Sequence, residues 1–333
     1  MPDTLVLAGD IGGTKSNLAF FRGPSRAPET VAERSYQNRD FASLDEVVGR
    51  FRADTGLAAA TACFGVAGAV VGGASQLPNL GWQLSETDLA RELGLEFVRL
   101  LNDLEANALG IASLPPEQFF TLNPGQSRAG GNRALIAAGT GLGMALLVQD
   151  GTDYRVSASE GGHMDFAPRN EEEVGLWRFL AARLGRVSVE RVVSGRGLVA
   201  VYDFLKTGGM DEPEGLAARL EVAADRAAVI AQAGSSGEAA ICVKALDLFL
   251  SAYGAAAGNL ALMALATGGL YIGGGIAPKL IDVLPKSGFM AAFKDKGRFT
   301  GLLSQMPVRV ILEPRTALYG AASQALRHTA SNP

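Results

Sequence analysis

The stretch ASEGGHMDF, residues 158–166, gathers side chains that could hold a polar ligand. His163 is one of two histidines in 333 residues, and it lies between Glu160 and Asp165, after a Gly-Gly pair. A neutral imidazole donates and accepts a hydrogen bond at once, and a carboxylate is a strong acceptor. A lone histidine in an apolar sequence is more often a structural residue with its hydrogen bonds satisfied. Here the neighbouring acids and glycines favour contact with a ligand. The other histidine, His328, has no such neighbours and is expected on the surface of a helix.

A second pattern whose residues could bind a ligand is GDIGGT, residues 9–14. Glycines lack a Cβ, so backbone N–H groups can approach phosphate oxygens, and the threonine hydroxyl adds a donor. An aspartate just before them has a role if Mg²⁺ accompanies the phosphates, because Mg²⁺ keeps its waters and needs only one or two carboxylates. A plain hairpin turn is the alternative for this motif taken alone. The candidate residues are Gly9, Asp10, Ile11, Gly12, Gly13 and Thr14, with Asp10 bound to Mg²⁺ through water.

Two more glycine clusters, GTG at 139–141 and GGG at 273–275, follow apolar runs. Neither completes a standard nucleotide fingerprint. GxxxxGK[ST] is absent from the chain, and GxGxxG fails at both places, where Met144 and Pro278 occupy its last glycine position. A second hairpin of this kind makes a plain turn the less favoured interpretation of both.

The elements that must position these residues alternate along the chain. Residues 5–21 and 134–148 each predict a strand, a glycine-rich turn and a strand, which is a weak internal repeat. This alternation predicts α/β layers, with a domain change near SLPP at 112–116. Further strands are predicted at 60–66, 96–101, 270–273 and 307–312, and helices at 43–53, 85–94, 171–184, within 215–266 and at 316–328. A helix with Pro278 in its first turn is predicted after the last glycine cluster.

Composition and charge argue against several classes of protein. A net charge of −4 and a pI of about 5.4 offer no basic surface for nucleic acid. We see no secretory signal at the N-terminus. The longest apolar stretch, 255–275, is interrupted by glycine, asparagine and threonine, so we expect a buried helix and strand there and no membrane span. Cys63 and Cys242 lack metal-like spacing and are expected to be buried free thiols in a reducing cytosol.

Six stretches together carry a resemblance to a known family: GDIGGTKSNLA, LNDLEANALGI, AAGTGLGMALL, SEGGHMDFAPRNEEE, ERVVSGRGLVAVY and GGLYIGGGIAPK. In this order they resemble the bacterial ATP-dependent glucokinases, in the branch without zinc, of the hexokinase and actin-like ATPase superfamily. The resemblance covers nearly the whole chain, from residue 5 to residue 325. EGGHMDFAP and ERVVSGRGL are its specific parts, since the first hairpin alone would indicate only the superfamily.

The resemblance implies a two-domain α/β fold, the actin-like ATPase (ribonuclease H-like) sugar kinase fold with an interdomain cleft. A small α/β domain would comprise residues 1–112 and 313–333, and a large α/β domain residues 113–312. The last helix is expected to return to the small domain, whose sheet needs a cover. The implied activity is transfer of the γ-phosphoryl group of ATP to the 6-hydroxyl of D-glucose, by a cytoplasmic homodimer with no membrane or nucleic-acid partner.

The resemblance also implies a sugar site, in which several polar groups hold hydroxyls and discriminate between sugars. Asp103 would be the catalytic base that accepts the proton of the 6-hydroxyl, although a helix N-cap is a competing role for it. A first-turn helix acid is the alternative for Glu190, and the Gly-Gly pair before His163 would let the backbone approach the sugar. The implied sugar residues are Asn79, Asn102, Asp103, Glu160, His163 and Glu190.

The nucleotide side is implied in the same way, with ATP and Mg²⁺ as ligands and no zinc, because two isolated cysteines cannot build the zinc motif of the other branch. Lys15 and Ser16 depart from the family pattern after GGT, and Arg196 stands in SGRGL where the family often has proline. Phosphate contacts are expected from residues 9–14 and from Gly139, Thr140 and Gly141, and adenine or ribose contacts from Gly273, Gly274 and Gly275.

Three other functions are alternatives to the phosphorylation of glucose by ATP. A kinase for mannose, fructose or an N-acetylated hexose keeps the fold and changes the sugar. A sugar-responsive repressor would carry a DNA-binding helix-turn-helix ahead of the first strand, where the phosphate turn already begins at residue 9. An ATP-driven chaperone would need a peptide-binding domain beyond residue 330. The sequence favours the kinase.

Overall fold

The structure is a computed structural model that describes residues 4–151 and 153–331. Its strands are β1 Val6–Ile11, β2 Lys15–Arg22, β3 Glu29–Gln37, β4 Thr61–Val66, β5 Val70–Val71, β6 Ala74–Leu77, β7 Trp82–Ser85, β8 Phe97–Asn102, β9 Phe119–Asn123, β10 Arg133–Ala138, β11 Leu142–Asp150, β12 Asp153–Ser159, β13 Gly269–Gly273 and β14 Val308–Ile311. Its α-helices are α1 Leu44–Thr55, α2 Glu86–Leu93, α3 Asp103–Gly110, α4 Glu171–Leu184, α5 Gly195–Thr207, α6 Glu214–Val222, α7 Arg226–Ser236, α8 Ala240–Ala264, α9 Phe289–Lys294, α10 Thr300–Gln305 and α11 Thr316–Ser331.

The chain divides into a first unit, Met1–Gln118 with Glu313–Pro333, and a second unit, Phe119–Leu312. The first unit is built on a five-stranded sheet of order β3-β2-β1-β4-β8. β1 pairs antiparallel with β2 and parallel with β4. Alternate residues of β1 enter two separate cores, Leu7 and Ile11 with helices α1 and α2, and Val6 and Ala8 with α3 and α11. This period-two alternation is what a sheet covered on both faces requires.

The C-terminal helix α11 packs on the sheet of the first unit, as the sequence predicts. Its contact with α3 is close because two glycines face backbone carbonyls. A Cβ at Gly320 would lie 1.8 Å from the Ala106 carbonyl oxygen, and one at Gly110 would lie 2.0 Å from that of Thr316. His328, expected to be a surface residue, is half-buried and stacks on the Phe97 ring with centroids 3.5 Å apart, so its ring is part of the packing.

The second unit contains a six-stranded sheet of order β12-β11-β10-β13-β14-β9. β10 pairs antiparallel with β11 and parallel with β13, which repeats the arrangement of β2, β1 and β4. Helix α8 passes a length and composition test for a membrane span, but 72% of its most apolar window is buried in the protein. It is therefore the core helix that the broken apolar stretch predicts, and β13 follows it.

The mixed α/β class is confirmed, and most predicted elements lie within two residues of their observed bounds. The sequence misses the three-stranded sheet β5-β6-β7, whose strands are only two to four residues long. It also predicts a helix with Pro278 in its first turn, where the structure has a single 3-10 turn, Ala277–Leu280.

Candidate active site

The turn between β1 and β2 is held from inside by a buried asparagine. The Gly12 N–H donates to the Lys15 carbonyl (3.0 Å) and closes the turn. Asn38 donates from Nδ2 to the Gly12 carbonyl (2.8 Å) and accepts at Oδ1 from the Ser16 hydroxyl (2.7 Å). Its backbone N–H donates to the Thr14 carbonyl (2.9 Å). The exposed tip is thus fixed, as a backbone that binds an anion requires. Asn38 was not found from the sequence.

Two members of the candidate phosphate motif have a packing explanation. Gly9 lies inside β1, where a Cβ would be 2.6 Å from Phe64 Cδ1 and 2.9 Å from Leu18 Cδ2. The side chain of Ile11 is fully buried in the core. The exposed glycine and threonine of the turn itself are therefore the groups open to a phosphate.

Asp10 lies on β1, one residue before the turn, opposite Asn17 of β2. Asn17 donates from Nδ2 to the Asp10 carboxylate (3.3 Å). Burial raises the pKa of Asp10, against the smaller opposing effects of Asn17 and the charge of Lys15. One half-buried carboxylate beside a glycine turn suits Mg²⁺, which retains most of its waters. Within residues 4–151 and 153–331, no group of three or more His, Cys, Asp or Glu is placed to hold a metal.

Asn102 and Asp103 stand where β8 ends and α3 begins. The helix cap is Asn102, whose Oδ1 accepts from the Leu104 N–H (3.0 Å), so the alternative of Asp103 as the N-cap is wrong. Asn102 also donates from Nδ2 to the Gly68 carbonyl (3.1 Å), which fixes its orientation. An amide has two donor hydrogens and two acceptor lone pairs. Asn102 also hydrogen-bonds the Asp103 carboxylate and lowers its pKa, so an acceptor lone pair is left for a ligand.

Asp103 is a half-buried carboxylate at the first position of α3. It accepts from the Leu104 N–H (2.8 Å). Burial raises its pKa, and the nearby Asp10 carboxylate raises it further, while the Leu104 hydrogen bond offsets part of the rise. Gly65 of β4 makes room for this helix start, because a Cβ there would meet the Ala106 Cβ at 2.8 Å. A carboxyl with a raised pKa at a strand end is suited to take a proton.

Asn79 is exposed in the turn between β6 and β7. A Cβ placed on Gly13 would lie 3.7 Å from Asn79 Nδ2, so this amide stands beside the tip of the β1–β2 turn. The small sheet that the sequence missed is the element that brings it there.

The Gly139-Thr140-Gly141 turn of the second unit is clamped at both ends. The Gly139 carbonyl accepts from the Gly195 N–H (2.8 Å). The Glu190 carboxylate accepts from the Leu142 N–H (2.9 Å). A Cβ on Gly141 would lie 2.6 Å from Glu190 Oε2, so glycine is needed there to admit the carboxylate. Glu190 lies in a 3-10 turn ahead of α5, which begins at Gly195, so the alternative that it is a first-turn acid of that helix is wrong.

The motif around His163 forms a 3-10 turn, Gly161–His163, packed on β11. Its two glycines are buried, and neither has room for a side chain. A Cβ on Gly161 would meet Met144 Sδ at 2.8 Å, and one on Gly162 would meet the Leu142 carbonyl at 2.0 Å. Both glycines pack against the strand, and the expectation that they bring the backbone close to a ligand stays a prediction. His163 and Glu160 remain exposed, with Nε2 and Oε2 4.0 Å apart.

Arg186 holds this turn and was not found from the sequence. It donates from Nε to the Asp165 carboxylate (2.8 Å) and from a terminal nitrogen to the His163 carbonyl (2.5 Å). Asp165 also forms a backbone bridge with Ser188. The histidine backbone is therefore tied to the segment that leads to Glu190. No motif marks Arg186, because its contacts cross 21 and 23 residues.

A cavity of about 1210 Å³ opens in the second unit beside Gly139 and Thr140. Apolar side chains of α5 and α7 and of the 3-10 turn after β13 line part of it, so it can accept a flat ring. Its charged lining comprises Arg196, Arg226, Lys279, Lys286, Asp225 and Asp282. Four cations against two acids favour an anionic ligand.

The three glycines after β13 differ in role. Gly273 is a buried strand residue, and a Cβ on it would meet Leu135 Cδ1 at 3.1 Å. Gly274 has a φ of +80°, and a Cβ there would lie 2.3 Å from the Ala138 carbonyl. Gly275 alone of the three lines the cavity, so the expected contact with the ligand's ring or sugar narrows to this residue.

The sequence and the fold of this chain match those of known proteins. A family model described as Glucokinase matches residues 7–328. A glucokinase of Trichormus variabilis is 43% identical over 340 residues, covering 97% of this chain and 99% of the relative. The crystal structure of a glucokinase from an Antarctic psychrotroph has a TM-score of 0.85 and 30% identity, covering 98% of this chain and 99% of that one. A ROK family glucokinase of Streptomyces griseus, solved with glucose and AMPPNP, shares the fold with a TM-score of 0.65 at 20% identity, covering 97% of this chain and 99% of that one.

Proposed function

Because the chain belongs to the glucokinase family, we propose that it transfers the γ-phosphoryl group of ATP to the 6-hydroxyl of D-glucose, giving glucose 6-phosphate and ADP. The observation that carries this proposal is Asp103, a half-buried carboxylate at the end of a strand whose pKa is raised by burial and by Asp10. Within residues 4–151 and 153–331 it forms no ion pair with a lysine or arginine, so it is free to act as a base.

The sugar residues are proposed from the family resemblance and the geometry of each unit. The cap role of Asn102 leaves it an acceptor lone pair for a sugar hydroxyl. Exposed His163 and Glu160 offer both kinds of hydrogen bond. A sugar that lacks one of the hydroxyls would leave its partner group unpaired in the complex, and this is how several such groups discriminate between sugars. The full proposed set is Asn79, Asn102, Asp103, Glu160, His163 and Glu190.

The nucleotide is proposed to bind through its phosphates at the two glycine turns and through its base in the cavity beside Gly139. The phosphate residues are Asp10, Gly12, Gly13, Thr14, Gly139, Thr140 and Gly141, with Gly9 and Ile11 shaping the first turn. Gly275 lines the cavity, and Gly273 and Gly274 shape the backbone that leads to it. Asp10 would hold Mg²⁺ through water, and the ion when bound neutralises charge on the phosphates. We include no zinc, since Cys63 and Cys242 are buried free thiols.

In the proposed reaction the sugar's 6-oxygen attacks the γ-phosphorus as its proton passes to the Asp103 carboxylate. The bond from the γ-phosphorus to the bridging oxygen breaks, and ADP leaves with that oxygen. In-line positioning and charge stabilisation supply most of the rate, and the base a smaller part. The hydrogen bond from the Leu104 N–H fixes one carboxylate oxygen, so the other is the acceptor.

A coupled assay for glucose 6-phosphate tests the proposal, with ATP, ADP and polyphosphate as donors in turn. We expect the highest kcat/KM with ATP and glucose. A panel of mannose, fructose and N-acetylated hexoses run beside glucose decides the sugar, and a higher kcat/KM for any of them would replace glucose in the proposal. Absence of phosphorylation with every sugar would favour the sugar-sensing role instead.

We also propose that the enzyme is a cytoplasmic homodimer. The support is its membership of a bacterial glucokinase family and, for the cytoplasm, the buried free thiols Cys63 and Cys242. Light scattering on the purified chain gives the oligomeric state directly, and a monomer mass at micromolar concentration would contradict the dimer.

A further inference from the structure

Arg196 occupies a helix position that stability alone disfavours. It is the second residue of α5, and the first turn of that helix contains no acidic residue. The positive end of the helix dipole repels a cation there. Helices α1, α2 and α4 carry acids in their first turns. Helix α7 also begins with an arginine and has no first-turn acid, but its Arg226 pairs with Asp203 (2.9 Å). A local rule broken in this way points to a functional demand on the residue.

The guanidinium of Arg196 also has no partner of its own within residues 4–151 and 153–331. Two acids, Asp203 of α5 and Asp225 at the start of α7, bind other groups. Asp225 caps α7 by accepting from the Ala228 N–H (3.0 Å), and Asp203 pairs with Arg226 (2.9 Å). Arg196 is exposed and lines the 1210 Å³ cavity. An unpaired guanidinium at a cavity wall can bind a carboxylate or phosphate through two parallel hydrogen bonds.

Along α5, Arg196 lies between a residue bonded to the glycine turn and residues that line the apolar part of the cavity. Gly195, just before it, donates its N–H to the carbonyl of Gly139 at the glycine turn. Leu198 and Val199, just after it, line the apolar part of the cavity. A nucleotide with its base against the apolar wall and its phosphates at the turn would pass the guanidinium at a phosphate near the ribose.

Building on the proposed function, we propose that Arg196 is a donor-binding residue that contacts a phosphate which the nucleotide keeps after transfer. Such a contact is the same in ATP and ADP. It lowers the KM for ATP and the Kd for ADP together and leaves kcat nearly unchanged. It also distinguishes this chain from relatives with proline at the same place in the motif.

The test is calorimetric binding of ADP and of adenosine to the wild type, Arg196→Ala and Arg196→Lys. Losing a charged hydrogen bond predicts ADP binding weaker by roughly ten- to a hundredfold in Arg196→Ala. Adenosine, which has no phosphate, should bind all three proteins equally. Arg196→Lys keeps the positive charge but loses the two parallel N–H donors of the guanidinium. It should therefore bind ADP more tightly than Arg196→Ala and more weakly than the wild type.

Arg178→Ala is the matched control, because Arg178 is an exposed arginine of α4 that does not line the cavity. It removes the same charge from the same unit and should leave ADP binding unchanged. A purely structural role for Arg196 would lower the Tm of Arg196→Ala, whereas removal of a cation from a helix start should keep or raise it.

Equal ADP affinity in Arg196→Ala and the wild type, or equal losses for ADP and adenosine, would overturn the assignment. Either result leaves the proposed function standing as long as the wild type phosphorylates glucose with ATP. Failure of the wild type in that assay, with ADP still bound through Arg196, would overturn the function alone.

Discussion

Oε2 of Glu190 lies 2.9 Å from the backbone nitrogen of Leu142 and accepts its hydrogen bond. The carboxylate proposed to hold a sugar hydroxyl is therefore also the group that fixes the Gly139-Thr140-Gly141 turn proposed to hold phosphate. A carboxylate has lone pairs enough for both tasks. Loss of this side chain should disturb both substrates, whereas a role in sugar binding alone would affect only one.

Two substitutions at Glu190 separate its two tasks. Glu190→Gln keeps an amide oxygen for the Leu142 N–H and removes the charge, so we expect weaker glucose binding with ATP binding nearly intact. Glu190→Ala removes the acceptor as well, and the KM for ATP should then also rise, by about fivefold or more for a lost hydrogen bond of about 1 kcal/mol. Steady-state kinetics on both variants measure the difference. Equal ATP constants in the two variants would remove Glu190 from the support of the turn.

Gly141→Ala tests the same relationship from the other side. The new Cβ would lie 2.6 Å from Glu190 Oε2, so the end of this side chain must shift and its hydrogen bond with the Leu142 N–H should weaken. We expect glucose binding, measured without nucleotide, to weaken severalfold. The same change in a Glu190→Ala background should have no added effect, because the two residues act as one unit. Gly139→Ala is the comparison for glucose binding, since a Cβ there meets nothing within 4 Å.

His163 and Arg186 give a third prediction. His163→Ala removes a partner of a sugar hydroxyl and should weaken glucose binding by about 1–3 kcal/mol, with little change for ATP. Arg186→Ala should act in the same direction but less strongly, since Arg186 contacts the backbone carbonyl of His163 and the Asp165 carboxylate rather than the imidazole ring. Calorimetry with each ligand is the measurement. If Arg186→Ala in a His163→Ala background lost as much again, Arg186 would not act through the histidine.

Much of this architecture is predictable from the sequence because it depends on local patterns. Buried apolar runs give β1, β10 and β13, and Ser85 caps α2 through its hydroxyl as its position before the helix indicates. The groups that support the site are different. Asn38 reaches back 26 residues to the Gly12 carbonyl, and no period or motif encodes such a contact.

The starts of α3 and α5 show how local ambiguity was resolved by packing. Asn102 and Asp103 are both good caps by type, and only the approach of α3 to Gly65 and the bond to Gly68 select Asn102. Ser194 caps α5 by accepting from the Gly197 N–H (3.0 Å), and this delays the helix and frees Glu190 for the turn. A sequence pattern indicates which residues could cap a helix, and the tertiary contacts determine which of them does.

The pH dependence of kcat/KM should report the coupling of Asp103 to Asp10. The base must be ionised, and because its pKa is raised, activity should fall at a pH above that expected for an ordinary aspartate. Asp10→Asn removes one of the charges that raise this pKa, so the acid limb should move to lower pH. Its kcat should also fall, because the proposed Mg²⁺ partner is lost. An acid limb that stays in place would show that the two carboxylates do not interact.

The sharpest prediction is for Asp103→Asn. Asn keeps the size of the side chain and one acceptor for the Leu104 N–H, so glucose should bind within a modest factor. It cannot take a proton, and kcat should fall by about 10²–10⁴, the usual contribution of a general base. A positioning role alone predicts near-normal turnover.

The direction in which Asp103→Asn changes the Tm distinguishes a catalytic base from an acid that supports the fold. Because the pKa of Asp103 is raised on folding, the folded chain holds this proton more tightly than the unfolded chain, whose carboxyl titrates near 3.8. Stability therefore falls as pH rises between the two values, and at pH 7 the ionised carboxylate destabilises the fold. Asp103→Asn removes that cost, so its Tm at pH 7 should equal or exceed that of the wild type while its kcat is lost. A Tm that falls with kcat would mean that Asp103 supports the fold, and the base would then have to be sought among the other carboxylates.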